Sequence, residues 1–268
     1  MSGVRITVGC PEFWPKFYEA QGPRLRIILK LPELLNPIFS AIETKTDMNA
    51  VEKVVRFLAQ ATLVNMNDVL LLCGNGSGAA ALRIVRGMFE SSTVAEYVLR
   101  NPPEAENYLA FGPVIAWRRF QWFLKNNPEK PFTAERSMRI EQRFNQVKSR
   151  FTDTKGKMRS NWSIRKIRQM ADAIGREDQY ELVYSWLSSM HHLSPDAMMA
   201  HVEDDNGVPT LQLDCAPSKR WLNVALVGAH TYVLFAAQTI NDCFALKFEN
   251  EIRGAEEEFQ KAGLTCSN

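Results

Sequence analysis

The stretch Ser77–Arg100, SGAAALRIVRGMFESSTVAEYVLR, decides the fold class. Leu82, Val85, Phe89 and Val94 recur at helical spacing, with Ile84 and Met88 beside them, so one face is apolar over several turns. Ser77 stands where an N-cap is expected, and Pro102-Pro103 stops the helix. Arg86 and Glu90 sit four residues apart inside this apolar helix, close enough to touch. Such a pair is either a surface ion pair of small weight or faces a bundle interior, where both charges need partners.

The segments on either side read the same way. Upstream, Val51, Val54, Val55, Leu58, Ala61 and Val64 mark a helix over Asp47–Cys73, with Asp47 or Asn49 as its cap. Between the two helices, Gly74-Asn75-Gly76-Ser77-Gly78-Ala79 matches G-x-G-x-x-A. A dinucleotide-binding turn needs a strand before it and a parallel sheet around it. The sequence supplies neither, nor a ribose-binding acid. The reading favoured is a helix–helix connection with Gly at a C-cap and Ser at an N-cap, and no cofactor is expected.

Downstream, one helix is expected over Glu104–Lys125, rich in Trp117, Phe120, Trp122 and Phe123, and another from Thr133 to Phe151. A polar loop (152–161), a short helix (Ser163–Gly175) and a helix over Asp178–His191 follow. A long helix over Lys219–Ala262 ends in the acidic run Glu249–Glu258. In 202–213, the turn Asp205-Asn206-Gly207 before alternating Thr210–Leu213 suggests a small β-hairpin. Pro11, Pro15, Pro23, Pro32 and Pro37 predict an irregular segment over 1–45, with short helices packed on the body. That leaves 46–268 as a single domain. The class is all-α, a multi-helix bundle of about seven helices.

Composition sets the limits on function. With 268 residues, 46% hydrophobic and 23% charged, the chain has the make-up of a globular protein with a sizeable core. The formal net charge is only +2, so attraction to nucleic acid must be local. The five cysteines are odd in number and widely spaced, without zinc-type spacing, and read as thiols in a reducing compartment. The N-terminus lacks the signature of a signal peptide, and the apolar stretch Val224–Ala237 is interrupted by Gly228 and His230 and too short to span a bilayer. The expectation is a cytoplasmic protein without a membrane partner.

Two further constellations carry chemistry. Tyr184, Ser188 and His192 recur every four residues on one helical face, with His191 beside them, and Ser194-Pro195-Asp196 ends the helix. Imidazole is the side chain best suited to proton transfer near neutral pH; the bland reading is a histidine capping terminal carbonyls. A metal site is not expected, because neither Glu90 nor Glu181 is followed by His at the third position, as di-metal bundles require. The second constellation is basic. From Lys130 to Arg168 there are twelve Lys and Arg, among them Arg143, Lys148, Arg150, Lys155, Lys157, Arg159 and Arg165, against three acids. Phe144, Phe151 and Trp162 are interleaved, as on a surface that tracks phosphates. The other reading is a solvated face balanced by the acidic run 249–258, across a homodimer contact or toward a protein partner.

The runs Ala81-Leu82-Arg83-Ile84-Val85-Arg86-Gly87-Met88-Phe89-Glu90, Asn161–Arg165 (NWSIR) and Tyr184–Pro195 (YSWLSSMHHLSP) resemble an uncharacterised all-helical prokaryotic family. Its members show an Arg-x-x-x-Glu helix, a Trp-Ser step and a Leu-Ser-x-x-x-His-x-Ser-Pro segment. The resemblance spans Asp47–Asp196 and implies a helical bundle, with no activity attached. A looser likeness is to the HEPN superfamily of helical-bundle ribonucleases of phage-defence and toxin–antitoxin systems, often dimeric. Those carry Arg four to six residues before His, a spacing absent before His192 here.

These readings make a metal-independent ribonuclease-like effector the leading expectation. His192, with His191 beside it, would be the general acid/base. Arg86 would stabilise phosphate charge, Glu90 would orient Arg86 or His192, Tyr184 and Ser188 would support them, and the basic segment would hold RNA. The alternative is a non-catalytic scaffold or partner-binding module in which Arg86, Glu90 and His192 form a structural network.

Overall fold

The computed structural model describes residues 9–127, 129, 133–192, 195 and 221–262. Three long helices form its centre, α3 (Ala50–Gly74), α4 (Gly78–Arg100) and α11 (Leu222–Phe244), each packed against the other two. Val55, Met66 and Val69 of α3 meet Leu82, Val85 and Phe89 of α4 and Leu226, Ala229, Val233 and Ile240 of α11 in one buried cluster. The apolar stripe read on α4 is therefore its core face. Gly228 of α11 lets that helix come close to α4, since a Cβ there would stand 2.7 Å from Val85 Cγ1.

The α3–α4 corner is a tight helix–helix connection. Gly76 takes φ +73°, and the amides of Gly76 and Ser77 donate to the carbonyls of Cys73 and Leu72. Trp14 lies directly over Gly74, where any Cβ would meet the indole ring. Asn49 caps α3 and Glu52 returns the bond, a complete capping box. α3 is also the one described helix with the length and mean hydropathy (1.3) of a membrane-crossing helix; 39% of that window is buried inside the bundle.

Residues 13–43 form α1 (Phe13–Ile28) and α2 (Leu31–Glu43), which cover the bundle. The prolines expected to break this segment are absorbed. Pro32 lies in the first turn of α2, where its missing N–H is unneeded. Pro23 and Pro37 lie inside the helices, a cost of about 3 kcal/mol each. Burial of Phe17, Leu25, Ile28, Leu35, Ile38 and Ile42, at about 1.5–3 kcal/mol each, outweighs it.

Two expected helices are each divided. α5 (Pro103–Ala110) ends at Phe111, and α6 (Gly112–Asn126) begins anew because Pro113 has no N–H to carry the ladder through. The C-terminal helix breaks between α11 and α12 (Glu249–Lys261), with Ala245 and Lys247 in the left-handed region (φ +51° and +68°). Buried Asn241 secures that corner, accepting from Phe248 N (2.7 Å) and donating to Glu249 (3.0 Å).

α6 and α7 (Ala134–Val147) make a hairpin with a small core of its own, Phe111, Val114, Phe144 and Phe151, with Trp117 stacked on Phe144. Thr133 caps α7, as its position implied. A 3-10 turn (Lys148–Phe151) leads into the basic loop, which Arg118 of α6 fastens by donating to the carbonyls of Arg159 and Ser160. After α8 (Ile167–Ala173), the chain passes through a short helical turn α9 (Glu177–Gln179) and a π-helical segment (Tyr180–Tyr184) into α10 (Ser185–His192), which packs on α4. Helix is the only regular structure among the described residues, apart from one isolated bridge, Thr152–Met158. The hairpin expected at 202–213 lies outside the described residues.

Candidate functional site

The seam between α4 and the π/α10 segment carries the polar cluster. Phe89, on the core face of α4, packs against Tyr180 and Tyr184 (ring centroids 6.4 and 5.0 Å) and anchors the two elements. Arg86 lies about one turn before Phe89 and Glu90 directly after it, the two forming an i,i+4 pair. The Tyr184 hydroxyl donates to Glu90 Oε1 (2.5 Å) and accepts from Arg86 Nη2 (2.8 Å). Arg86 Nη2 also pairs with Glu90 Oε1 at 2.9 Å. The guanidinium lies 5.0 Å from the Tyr184 ring centroid, a cation–π placement. The three groups thus close a triangle across 94 residues of chain.

Its exposure is graded. Tyr184 is 6% exposed, whereas the side chains of Arg86 and Glu90 are 18% and 38% exposed. The cluster has a buried hinge and a solvent-reaching rim. Burial first, then the Glu90 hydrogen bond, pushes the Tyr184 phenol well above its ordinary range, so it stays protonated at neutral pH. As a neutral hydroxyl it holds the two charged side chains in place. Placing Tyr184 at the end of a π segment is notable, because single π turns recur where a helix must re-aim a side chain.

His191 and His192 end α10 on the surface, their rings edge-to-face at 4.9 Å. Partial burial, then the charges of Arg86, His192 and Arg83, lower the pKa of His191, while Glu90 pulls it the other way. His191 is therefore within electrostatic reach of the α4 charges. It also shares the stripe of Tyr184, seven residues on, through half-buried Ser188. Among the described residues His192 touches His191 and makes no hydrogen bond or ion pair with Arg86 or Glu90. The structure thus brings together Arg86, Glu90 and Tyr184, with His191 within electrostatic reach of the two charges and His192 in contact with His191.

Of the basic segment, Arg143, Lys148, Lys155 and Lys157 are exposed and in no ion pair among the described residues. Arg150 donates to Asn107 (2.7 Å), Arg159 is half-buried, and Arg165 lies over the Tyr97 ring (5.9 Å). The first of these belong to the α6–α7 hairpin and its loop, while Arg165 adjoins α8 against α4. The acidic run contributes Glu258, which pairs with Lys30, the residue before α2, at 2.6 Å.

Two features escaped sequence reading. Arg83, one turn before Arg86 on α4, adds an exposed cation whose charge reaches His191. Farther along the same seam, Arg176 is buried, pairs with Glu96 and donates to Ser92 Oγ (3.4 Å); Glu96 also pairs with Arg100. The Arg176 guanidinium lies over the Phe235 ring at 3.9 Å. The Glu96–Arg100 spacing was a usable signal, but nothing marked Arg176 as buried. Among the described residues no three His, Cys, Asp or Glu side chains are grouped as metal ligands would be.

Fold and seam together define an all-helical bundle protein with an arginine–tyrosine–glutamate cluster beside two surface histidines. The chain belongs to a family of unknown function (DUF5677), whose model matches residues 52–209. That span takes in the cluster and the basic segment. No curated protein and no solved structure matches the chain.

Proposed function

We propose that the chain is a metal-independent phosphodiester-cleaving protein acting on single-stranded RNA, with its reacting groups at the α4–α10 seam. The observation that carries this reading is the pair of surface imidazoles in the field of two arginines, one of which is fixed by Tyr184 and Glu90. Two imidazoles this close resist double protonation. One neutral and one protonated ring is the state that cleavage next to a 2′-hydroxyl uses. His191, whose pKa burial and then the neighbouring cations lower, takes the 2′-hydroxyl proton. The 2′-oxygen then attacks phosphorus, and His192 gives a proton to the departing 5′-oxygen. Products are a 2′,3′-cyclic phosphate and a free 5′-hydroxyl, and the proton count closes with the two rings exchanged. Arg86 and Arg83 offset the charge that grows on the phosphoryl oxygens. This moves the base role from His192, first expected there, to His191. The exposed cations Arg143, Lys148, Lys155 and Lys157 hold flanking phosphates.

The test is cleavage of a labelled single-stranded RNA in EDTA, with the ends analysed. His191→Ala and His192→Ala are each expected to lower the rate by about 10²–10⁴-fold.

A second reading has its own observation. Tyr184 is almost fully buried and both its hydrogen-bond partners lie inside the chain, as in a structural clamp of a non-catalytic scaffold. Under that reading the histidine variants change nothing but surface charge, and Tyr184→Phe costs stability alone.

A further inference from the structure

A cavity of about 470 Å³ opens between the C-terminal half of α4, the α8–α9 corner and the C-terminal half of α11. That volume is in the range of small-molecule sites, about 300–1,000 Å³. Its walls sort by chemistry. Leu99, Ile174 and Phe235 supply apolar surface. Arg176 is locked into the floor by Glu96, Ser92 and the Phe235 ring, so a buried charge is spent on rigidity there. Arg100 is more than half exposed and shares Glu96, which leaves a donor face at the rim. Opposite in chemistry stands Asp242, exposed and steadied by Gln238 Nε2 (2.6 Å) and Asn241 Nδ2 (3.3 Å). Gln179 borders the cavity, and its Oε1 is buried without a hydrogen-bond partner.

The cavity therefore asks for a flat ligand with adjacent N–H donors on one edge and acceptors on another. Among the nucleobases guanine meets this: N1–H and N2–H₂ suit a carboxylate, and O6 with N7 suits a guanidinium. Adenine and cytosine place an acceptor beside their amino group and would face Asp242 with like polarity. We infer that this cavity binds a guanine base, with Asp242 taking its N–H edge, Arg100 its O6/N7 edge, and Leu99 and Ile174 its face. The site lies apart from the histidines and stands whether or not the seam cleaves RNA. The base comes either from a free nucleotide or from a guanosine within a strand.

The experiment is calorimetric titration of the full chain with GMP, with AMP, and with two single-stranded oligonucleotides that differ only by guanine or adenine at one position. GMP, or the guanine strand, is expected to bind at least tenfold tighter than its adenine counterpart. Asp242→Asn, an exposed and fold-neutral change, is expected to weaken guanine binding by about tenfold or more. Preference for GMP assigns a free nucleotide, and preference only in the strand assigns a guanosine in RNA. Equal binding of guanine and adenine ligands, no saturable binding of either guanine ligand, or an Asp242→Asn variant that binds guanine as the wild type does would overturn the assignment.

Discussion

At Tyr184 one oxygen settles the geometry of the seam. It donates to Glu90 and accepts from Arg86, so both charges are held by a group that stays neutral. Tyr184→Phe keeps the ring packing and deletes the hydroxyl, leaving Arg86 and Glu90 to pair with each other. The expected cost is about 1 kcal/mol in a urea melt. Under the cleavage reading the same variant also lowers the RNA cleavage rate, and a rate that follows only the fraction folded would favour the clamp. Arg176 is a different case. Removing it leaves Glu96, in a largely buried place, with Arg100 alone, so Arg176→Leu should cost about 1–3 kcal/mol by denaturant unfolding. The first cluster was legible because Arg86 and Glu90 interrupt an apolar helix at i and i+4. Arg176 was not: a lone arginine after a glycine looks solvated until the fold closes over it.

Among elements, the boundaries that sequence conveyed well are those with a chemical stop signal. Asn49 and Thr133 cap α3 and α7, and Gly76 turns the chain into α4. The α11–α12 corner carried no such signal, since its left-handed residues are Ala245 and Lys247, and the buried side chain of Asn241 makes the turn. The α5–α6 break was available in Gly112-Pro113 but was masked by the surrounding aromatic periodicity. Close approach of helices has a measurable consequence. Gly228→Val would drive a methyl group into Val85, and α4 and α11 must then separate. A loss of about 1–3 kcal/mol in a thermal or urea melt is expected. A neutral result would mean that the two helices are not held at this spacing.

For the whole molecule, acid stability turns on a buried imidazole far from the seam. His230 stacks on Phe259 at 3.8 Å, its Nε2 has no partner, and burial lowers its pKa to about 4. The unfolded chain takes up this proton near pH 6.5 and the folded chain only near 4. Stability from this residue is thus complete above 6.5 and falls as the pH drops toward 4, by up to about 3 kcal/mol. His230→Phe should flatten that part of the profile when urea midpoints at pH 7 and pH 4.5 are compared. An unchanged slope would show that other groups set it. On the surface, the basic loop on the α6–α7 hairpin should govern salt dependence. Replacing Lys155 and Lys157 with Gln is expected to weaken RNA binding at every sequence alike, and to reduce the slope of log K against log salt by about 0.7 per lost contact.

The most direct measurement concerns the two imidazoles. The purified 268-residue chain, incubated in EDTA with end-labelled single-stranded RNA, is expected to yield 2′,3′-cyclic phosphate ends. His191→Ala should abolish that product while melting as the wild type does. Wild type that leaves the RNA intact, or a His191→Ala variant that cuts at the wild-type rate, would contradict catalysis at the α4–α10 seam.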